Sequence, residues 1–295
     1  MIEEFGVYMN QDQLDLFQGY LAEIRAADAE SREVIRPAID AAGALDGVDF
    51  ESEFSLLADF NREWPVIDAD MSDLLDTMAG NLDNFSAVEA LPPFGLFPWF
   101  FVIPGVLIAG LAAMALRIGR TRQPSRQIVA LVVLGVAVVL APVFFQMFTR
   151  APKGGDMIND FRPMMTRERV VSVQGYFATI GNGEADLRNK VVPLAREAGL
   201  GDAELVATTT LSADWAEIVG DFFPMIGAMS DNIDNFEAVD ALPPFPLFPW
   251  FFVLPGVLVA GLAWWSRQPS DSTGSDSTQS DSTESDPTES DHVGV

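Results

Sequence analysis

Residues 81–112 read NLDNFSAVEALPPFGLFPWFFVIPGVLIAGLA, and residues 232–263 read NIDNFEAVDALPPFPLFPWFFVLPGVLVAGLA. The two stretches differ at 6 of 32 positions, mostly conservatively, as at Leu82/Ile233, Glu89/Asp240 and Ile103/Leu254. Each begins polar, passes through a segment rich in Pro and Phe, and ends in an apolar run. A run of ~20 apolar residues is what a helix needs to cross a bilayer. The repeat therefore points to an integral membrane protein built by duplication.

Working outward, the duplication continues toward the N-terminus. MIEEF at 1–5 matches MINDF at 157–161, and residues 18–43 match 174–199 without a gap. From Trp64 and Trp215 onward the spacing between copies is five residues shorter, which places an insertion near 46–50 of the first copy. Leu14, Phe17, Leu21 and Ile24 keep helical spacing, as do Val170, Val173, Phe177 and Ile180. A second helix carries Ile35, Ala38 and Ala42, or Val191, Leu194 and Ala198, with Pro37 and Pro193 inside it or at its start. Gly43 and Gly199 follow where a left-handed residue ends a helix.

A longer stripe leads to the apolar run: Trp64, Ile67, Met71, Leu74, Met78, Leu82 and Phe85. Its repeat is Trp215, Ile218, Phe222, Met225, Met229, Ile233 and Phe236. Asp214 is the expected N-cap and Pro65 the expected first helical residue. Pro224 is expected to bend the second copy. No segment alternates as a strand does.

These patterns predict an all-α integral membrane protein with three transmembrane helices and two tandemly duplicated extramembrane helical-bundle domains. The first domain spans 1–93 and the second 149–245. The transmembrane helices are 96–116, 128–148 and 247–265, with a basic loop at 117–126 and an acidic Ser/Thr/Asp tail at 266–295. Phe97, Trp99 and Phe100, repeated as Phe248, Trp250 and Phe251, are expected at the membrane interface, which favours aromatic side chains. Pro98 and Pro249 suit helix starts, and Pro104 and Pro255 are expected kinks, so the four together form a candidate hinge.

Charge sets the expected orientation. Arg117, Arg120, Arg122 and Arg126 make the loop basic, and short basic loops stay on the cytoplasmic side. Both helical domains are then extracytoplasmic and the tail cytoplasmic, the tail being disordered by composition. No signal peptide is legible, and only the second copy has a span just before it. The parent pattern is therefore expected to be span–domain–span, twice.

Composition excludes whole classes of chemistry. The net charge is −26, with 21 acids against 4 bases in residues 1–93, and nucleic-acid binding needs the opposite sign. There is no Cys, and the sole His is His292 in the tail. A Ser-His-Asp triad or a multi-histidine metal site within the folded part of one chain is thereby excluded. Asn81, Asp83 and Asn84, repeated as Asn232, Asp234 and Asn235, supply oxygen ligands, but their spacing fits a helix end better than a calcium loop. Asp68, Asp70, Asp73 and Asp76 form an acidic face of which the second copy keeps only Asp221, so it reads as solvated surface. Trp64 and Trp215 are candidates for a pocket between helices or for plain core. Gly105 and Gly110, with Gly256 and Gly261, offer close approach to another helix. No ionisable residue lies inside a span, which disfavours a pump or channel.

The expected function is non-enzymatic and without cofactor. The two acidic domains would be presented outside the membrane for partner binding or envelope organisation. The partners are the lipid bilayer and other proteins, met through the acidic domains or the Gly-bearing spans. The alternatives are a ligand-sensing or accessory subunit with a pocket between helices, and, further off, a membrane enzyme using carboxylates.

Overall fold

The computed structural model describes residues 2–92, 94–118 and 125–265. Every regular element among them is helical. The first copy contributes α1 (Ile2–Gly6), α2 (Gln11–Glu30), α3 (Arg36–Ala42), α4 (Phe50–Glu53), α5 (Ser55–Gly80) and α6 (Leu82–Glu89). Two apolar helices follow, α7 (Phe97–Ile118) and α8 (Ser125–Phe144). The second copy contributes α9 (Met147–Phe161), α10 (Arg167–Asp186), α11 (Val192–Glu197), α12 (Val206–Asp231) and α13 (Ile233–Asp240), and the apolar α14 (Phe248–Trp265) follows it. The basic loop from 119 to 124 and the tail from 266 lie outside the described residues.

Matching local devices start and stop matching helices. Asn10 caps α2 by accepting the Gln13 N–H at 2.9 Å, and Thr166 caps α10 by accepting the Arg169 N–H at 3.2 Å. Both helices then widen into one π-helical turn, Ser31–Ile35 and Leu187–Val191, just before Pro37 and Pro193. A proline ring clashes with the carbonyl four residues back, and a wider turn relieves that clash. The helix then ends on Gly43, at φ 62°, or just before Gly199, at φ 101°. The five extra residues of the first copy fall between Gly43 and Ser55, where Asp46 and Gly47 also take positive φ.

The long helices start earlier than expected. α5 begins at Ser55 and α12 at Val206, so Pro65 and Asp214 lie inside helices rather than at their starts. Each has 26 residues, about 39 Å of helix. The extra turns bury Leu57 and Phe60 in α5, and Thr208 and Leu211 in α12. α8 ends at Phe144, short of the expected 148, because Gln146 takes a left-handed φ of 54° before α9 begins.

The copies do not close into two separate bundles. α5 of the first copy packs on α10 of the second, and α12 of the second packs on α2 of the first. These cross-copy pairs are at least as intimate as the within-copy pairs α2/α5 and α10/α12. One hydrophobic core runs through all four long helices. The reason is area: α5 alone buries Leu57, Phe60, Trp64, Ile67, Met71, Leu74, Leu75 and Met78. A single partner helix cannot cover so wide a stripe, and the second copy completes the cover. Phe222 sits near the centre, stacked on Phe17 of the other copy at 4.4 Å and tilted on Phe177 of its own at 4.9 Å.

Candidate functional site

Beside the shared apolar core, polar contacts join the copies, and several of them come in reciprocal pairs. Neither Phe54 nor Leu205, the residues preceding α5 and α12, caps its helix with a side chain. An acid from the other copy does so in each case. Glu30 accepts the Ala207 N–H at 2.8 Å, the Thr208 N–H at 3.0 Å and the Thr208 hydroxyl at 2.7 Å. Asp186, which aligns with Glu30, accepts the Leu57 N–H at 3.3 Å and pairs with Lys190 at 2.8 Å. A carboxylate at a helix N-terminus both satisfies orphan N–H groups and meets the positive end of the dipole. Replacing Glu30 by Ala is expected to cost about 1–2 kcal/mol and to loosen the first turn of α12, although the change is in α2. Hydrogen exchange at Ala207 and Thr208 checks this.

Two tyrosines repeat the exchange. The Tyr20 hydroxyl donates to Asp221 Oδ2 at 2.7 Å, and the Tyr176 hydroxyl donates to Asp70 Oδ2 at 2.5 Å. Burial and the Asp221 carboxylate push the Tyr20 phenol above its usual range. The bond to Asp70, with burial, does the same for Tyr176. Both phenols therefore remain neutral donors. Burial alone would raise Asp70, but hydrogen bonds from Arg169 and Tyr176 outweigh it and lower its pKa. No arginine matches Arg169 in the first copy, where Gln13 aligns. At that half-buried end, burial and the carboxylates of Asp214 and Glu217 raise the Glu23 pKa.

A third exchange lies where the bundle meets the apolar helices. The buried Asn81 donates to Thr77 O at 3.0 Å and to Asp160 of the other copy at 3.1 Å, and accepts from Asn84 at 3.0 Å. Asn232 donates to Ala228 O at 2.8 Å and to Glu4 at 3.1 Å, and accepts from Asn235 at 3.2 Å. These asparagines break the helix between α5 and α6, or α12 and α13, and tie the break across the copies. No grouping of three or more His, Asp or Glu side chains among the described residues is placed to hold a metal ion. Of the acidic face, Asp68 pairs with Arg25 at 2.6 Å and Asp70 with Arg169, while Asp73 and Asp76 are exposed.

Before each π-helical turn stands a buried acid with an arginine four residues on. Asp28 pairs with Arg32 at 2.9 Å, and Glu184 with Arg188 at 3.5 Å. Burial raises the Asp28 pKa to about 6 despite Arg32, and raises that of Glu184. An acid whose pKa is higher folded than unfolded stabilises most below the unfolded value and loses that contribution as pH rises through the folded value. Stability is therefore expected to fall between about pH 4 and pH 6. Asp28→Asn should flatten that part of the profile, as urea midpoints of the two proteins over that window would show.

The apolar helices leave the same end of the bundle, α7 through α6 and α14 through α13, and α8 returns to it through α9. Two helical stretches, Arg126–Phe144 and Phe245–Trp265, are long and apolar enough to cross a membrane, and Pro98–Leu111 is a shorter apolar helix. Their outward surfaces carry Phe144 at 81% and Trp265 at 73% exposure. α8 and α14 touch backbone to backbone: a Cβ on Gly135 would lie 2.8 Å from the Gly256 carbonyl oxygen. Gly256 is thus at a helix contact, while a Cβ on Gly105, Gly110 or Gly261 meets nothing within 4 Å. Gly135, its partner, was not singled out in the sequence because α8 has no second copy for comparison.

The remaining sequence candidates fall as follows. Trp99, Trp250 and Phe251 are exposed, Phe248 is half-buried, and Phe100 meets Phe145 and Phe252 edge-on; the Phe97 side chain is outside the described residues. Pro98 and Pro249 lie in the first turns of α7 and α14, and both helices run on through Pro104 and Pro255. Trp64 is buried in the core beside Phe60. Trp215 is half-buried over Gly181, with Cζ2 3.0 Å from where a Cβ would stand. An apolar cavity between the copies, bordered by Phe5, Phe85, Phe161, Asn232 and Phe236, holds about 40 Å³, room for little more than one water. Of the residues that join the copies, Asn81, Asn232, Asp70 and Asp221 were singled out in the sequence, whereas Glu30, Asp186, Tyr20 and Tyr176 were missed. Their only signal is that each pair aligns between the repeats.

Comparison with protein-family models, with curated proteins and with solved structures gave no match to this chain.

Proposed function

We propose that this chain is a non-enzymatic multi-pass membrane protein whose two copies form one acidic bundle outside the membrane, held there by three spans. One observation carries the reading: three helices whose apolar surfaces are exposed along their length join one end of a bundle that buries most of its large apolar side chains in a core. Water does not favour such a surface over that area, and lipid does. The four arginines of 117–126 then put the far ends of α7 and α8 in the cytoplasm. The bundle faces outward, and its excess of carboxylates suits a cationic partner.

The reciprocal contacts support a platform rather than a hinge between two domains. Glu30, Asp186, Tyr20 and Tyr176 each bond across the copies, so a force on one copy reaches the other. Envelope organisation or partner presentation asks for that rigidity. The test is carbonate washing of membranes followed by cross-linking on intact cells. The chain should stay in the pellet and form adducts that salt weakens and that Asp73→Asn with Asp76→Asn reduces. Release of the chain by carbonate would end the membrane reading, and salt-independent adducts would end the electrostatic one.

A further inference from the structure

α7 and α14 share nearly the same sequence from Phe97 to Ala112 and from Phe248 to Ala263, yet α8 packs closely along α14 and only lightly on α7. In α14, Gly256 and Ala260 meet α8, a Cβ on Gly256 lying 2.7 Å from Val139 Cγ2, and Phe252 on the same stripe is 3% exposed, with Phe100 and Phe101 of α7 against its ring. A Cβ on Gly135 would lie 3.0 Å from Ala260 Cβ. The same residues in α7 are Phe101, Gly105 and Ala109. Phe101 is 43% exposed, Gly105 and Ala109 are exposed, and a Cβ on Gly105 meets nothing within 4 Å. Identical residues thus differ only in what lies on them.

The surroundings say what would lie on α7. Phe101 stacks on Phe252, its own counterpart, at 4.8 Å, so α7 and α14 meet as equivalents there. A crevice of about 120 Å³ lies between Phe100, Pro104 and Ile108 of α7, Pro255 of α14 and Gly135 and Val138 of α8, with Phe101 and Gly105 on its border, so α8 stands off this side of α7. Within the bundle, the contacts of Glu30, Tyr20 and Asn81 are each repeated by their counterparts Asp186, Tyr176 and Asn232. α8 runs toward the bundle and α14 away from it, so the seated helix is antiparallel. Two α7 helices paired about an axis along the bundle would run parallel and would not reproduce this seat.

We infer that the Phe101–Gly105–Ala109 face of α7 seats a further apolar helix of the α8 kind: free of charge between its ends, with glycine at the crossing, and antiparallel to α7. Close backbone approach at small residues is what joins helices within a bilayer. This inference rests on the membrane reading above.

The test uses the full chain in vesicles of phosphatidylcholine and phosphatidylglycerol, with a synthetic peptide of residues 125–146 as the probe. The chain has no Cys, so introduced thiols are unambiguous. Gly105→Cys is paired with a Val139→Cys peptide, and Ala109→Cys with a Gly135→Cys peptide. A disulfide needs Cβ atoms about 3.5–4.5 Å apart, which a true seat provides. Val106→Cys, on a face 64% exposed in α7, gives the background. The expected result is several-fold more adduct at positions 105 and 109 than at 106 or with a scrambled peptide. No excess at either position overturns the inference, and so do covalent dimers of the full chain in place of peptide adducts. The same vesicles are washed with carbonate. Loss of the chain overturns the membrane reading, whereas a retained chain without adduct overturns the seat alone.

Discussion

Phe222→Ala is expected to lower stability by about 3–5 kcal/mol, the cost of emptying a large aromatic site in a packed core. The side chain is fully buried between Phe17 of the first copy and Phe177 of the second. Because one core serves both copies, the loss should appear in both. Hydrogen exchange should rise in α5 as well as in α12, and urea unfolding of the bundle should remain one transition. The adjacent Phe223 is 48% exposed, and Phe223→Ala should cost under about 1 kcal/mol. Faster exchange in α12 with α5 unchanged would mean that the copies fold as separate units.

The second large effect turns on a glycine that has no room for a methyl group. A Cβ on Gly183 would lie 2.5 Å from Phe60 Cβ and 2.7 Å from its Cγ, across the α5/α10 contact. Gly183→Ala should therefore destabilise by about 1–3 kcal/mol, even though alanine in a helix interior normally gains about 0.5–1 kcal/mol. Gly175 lies in the same helix with nothing within 4 Å of its Cβ position, and Gly175→Ala should show that gain undisturbed. At the equivalent place in the other half, Ala27 and Leu211 are both fully buried. The larger residue on α10 thus needs the smaller one on α5. Adding Phe60→Leu to Gly183→Ala should recover much of the loss, as denaturant midpoints of the four proteins would show.

Local features were legible because local chemistry decides them. The spacing of Leu14, Phe17, Leu21 and Ile24 marks α2, and all four are buried. Gly43 takes the left-handed position that its place after a periodic run implies. Asn81 and Asn232 satisfy helix-end groups, as their position between two helices suggests. Pairing between elements was not legible. The two helix pairs carry apolar stripes at corresponding positions, so the pattern is equally consistent with packing within a copy and between copies. What selects the second arrangement is long-range: Glu30 reaches Thr208, and Asp186 reaches Leu57. Nothing within either sequence neighbourhood marks those partners. The early starts of α5 and α12 were missed for a related reason, since Phe54 and Leu205 are poor caps and the caps come from elsewhere in the chain. The close contact of Gly135 on Gly256 likewise depends on a helix with no repeat beside which to read it.

Whether one bundle made of both copies stands on the outer side of a membrane is a question of topology. Ser86 and Ser230 are exposed on the bundle, Ser125 begins α8, and Ser275 lies in the tail. Single cysteines at these four positions can be labelled with a membrane-impermeant maleimide on intact cells, because the chain has no other thiol. Labelling is expected at Ser86→Cys and Ser230→Cys alike, with Ser125→Cys and Ser275→Cys protected until the cells are opened. Labelling of Ser230→Cys without Ser86→Cys would contradict it, since two copies that share a core cannot lie on opposite sides of a bilayer.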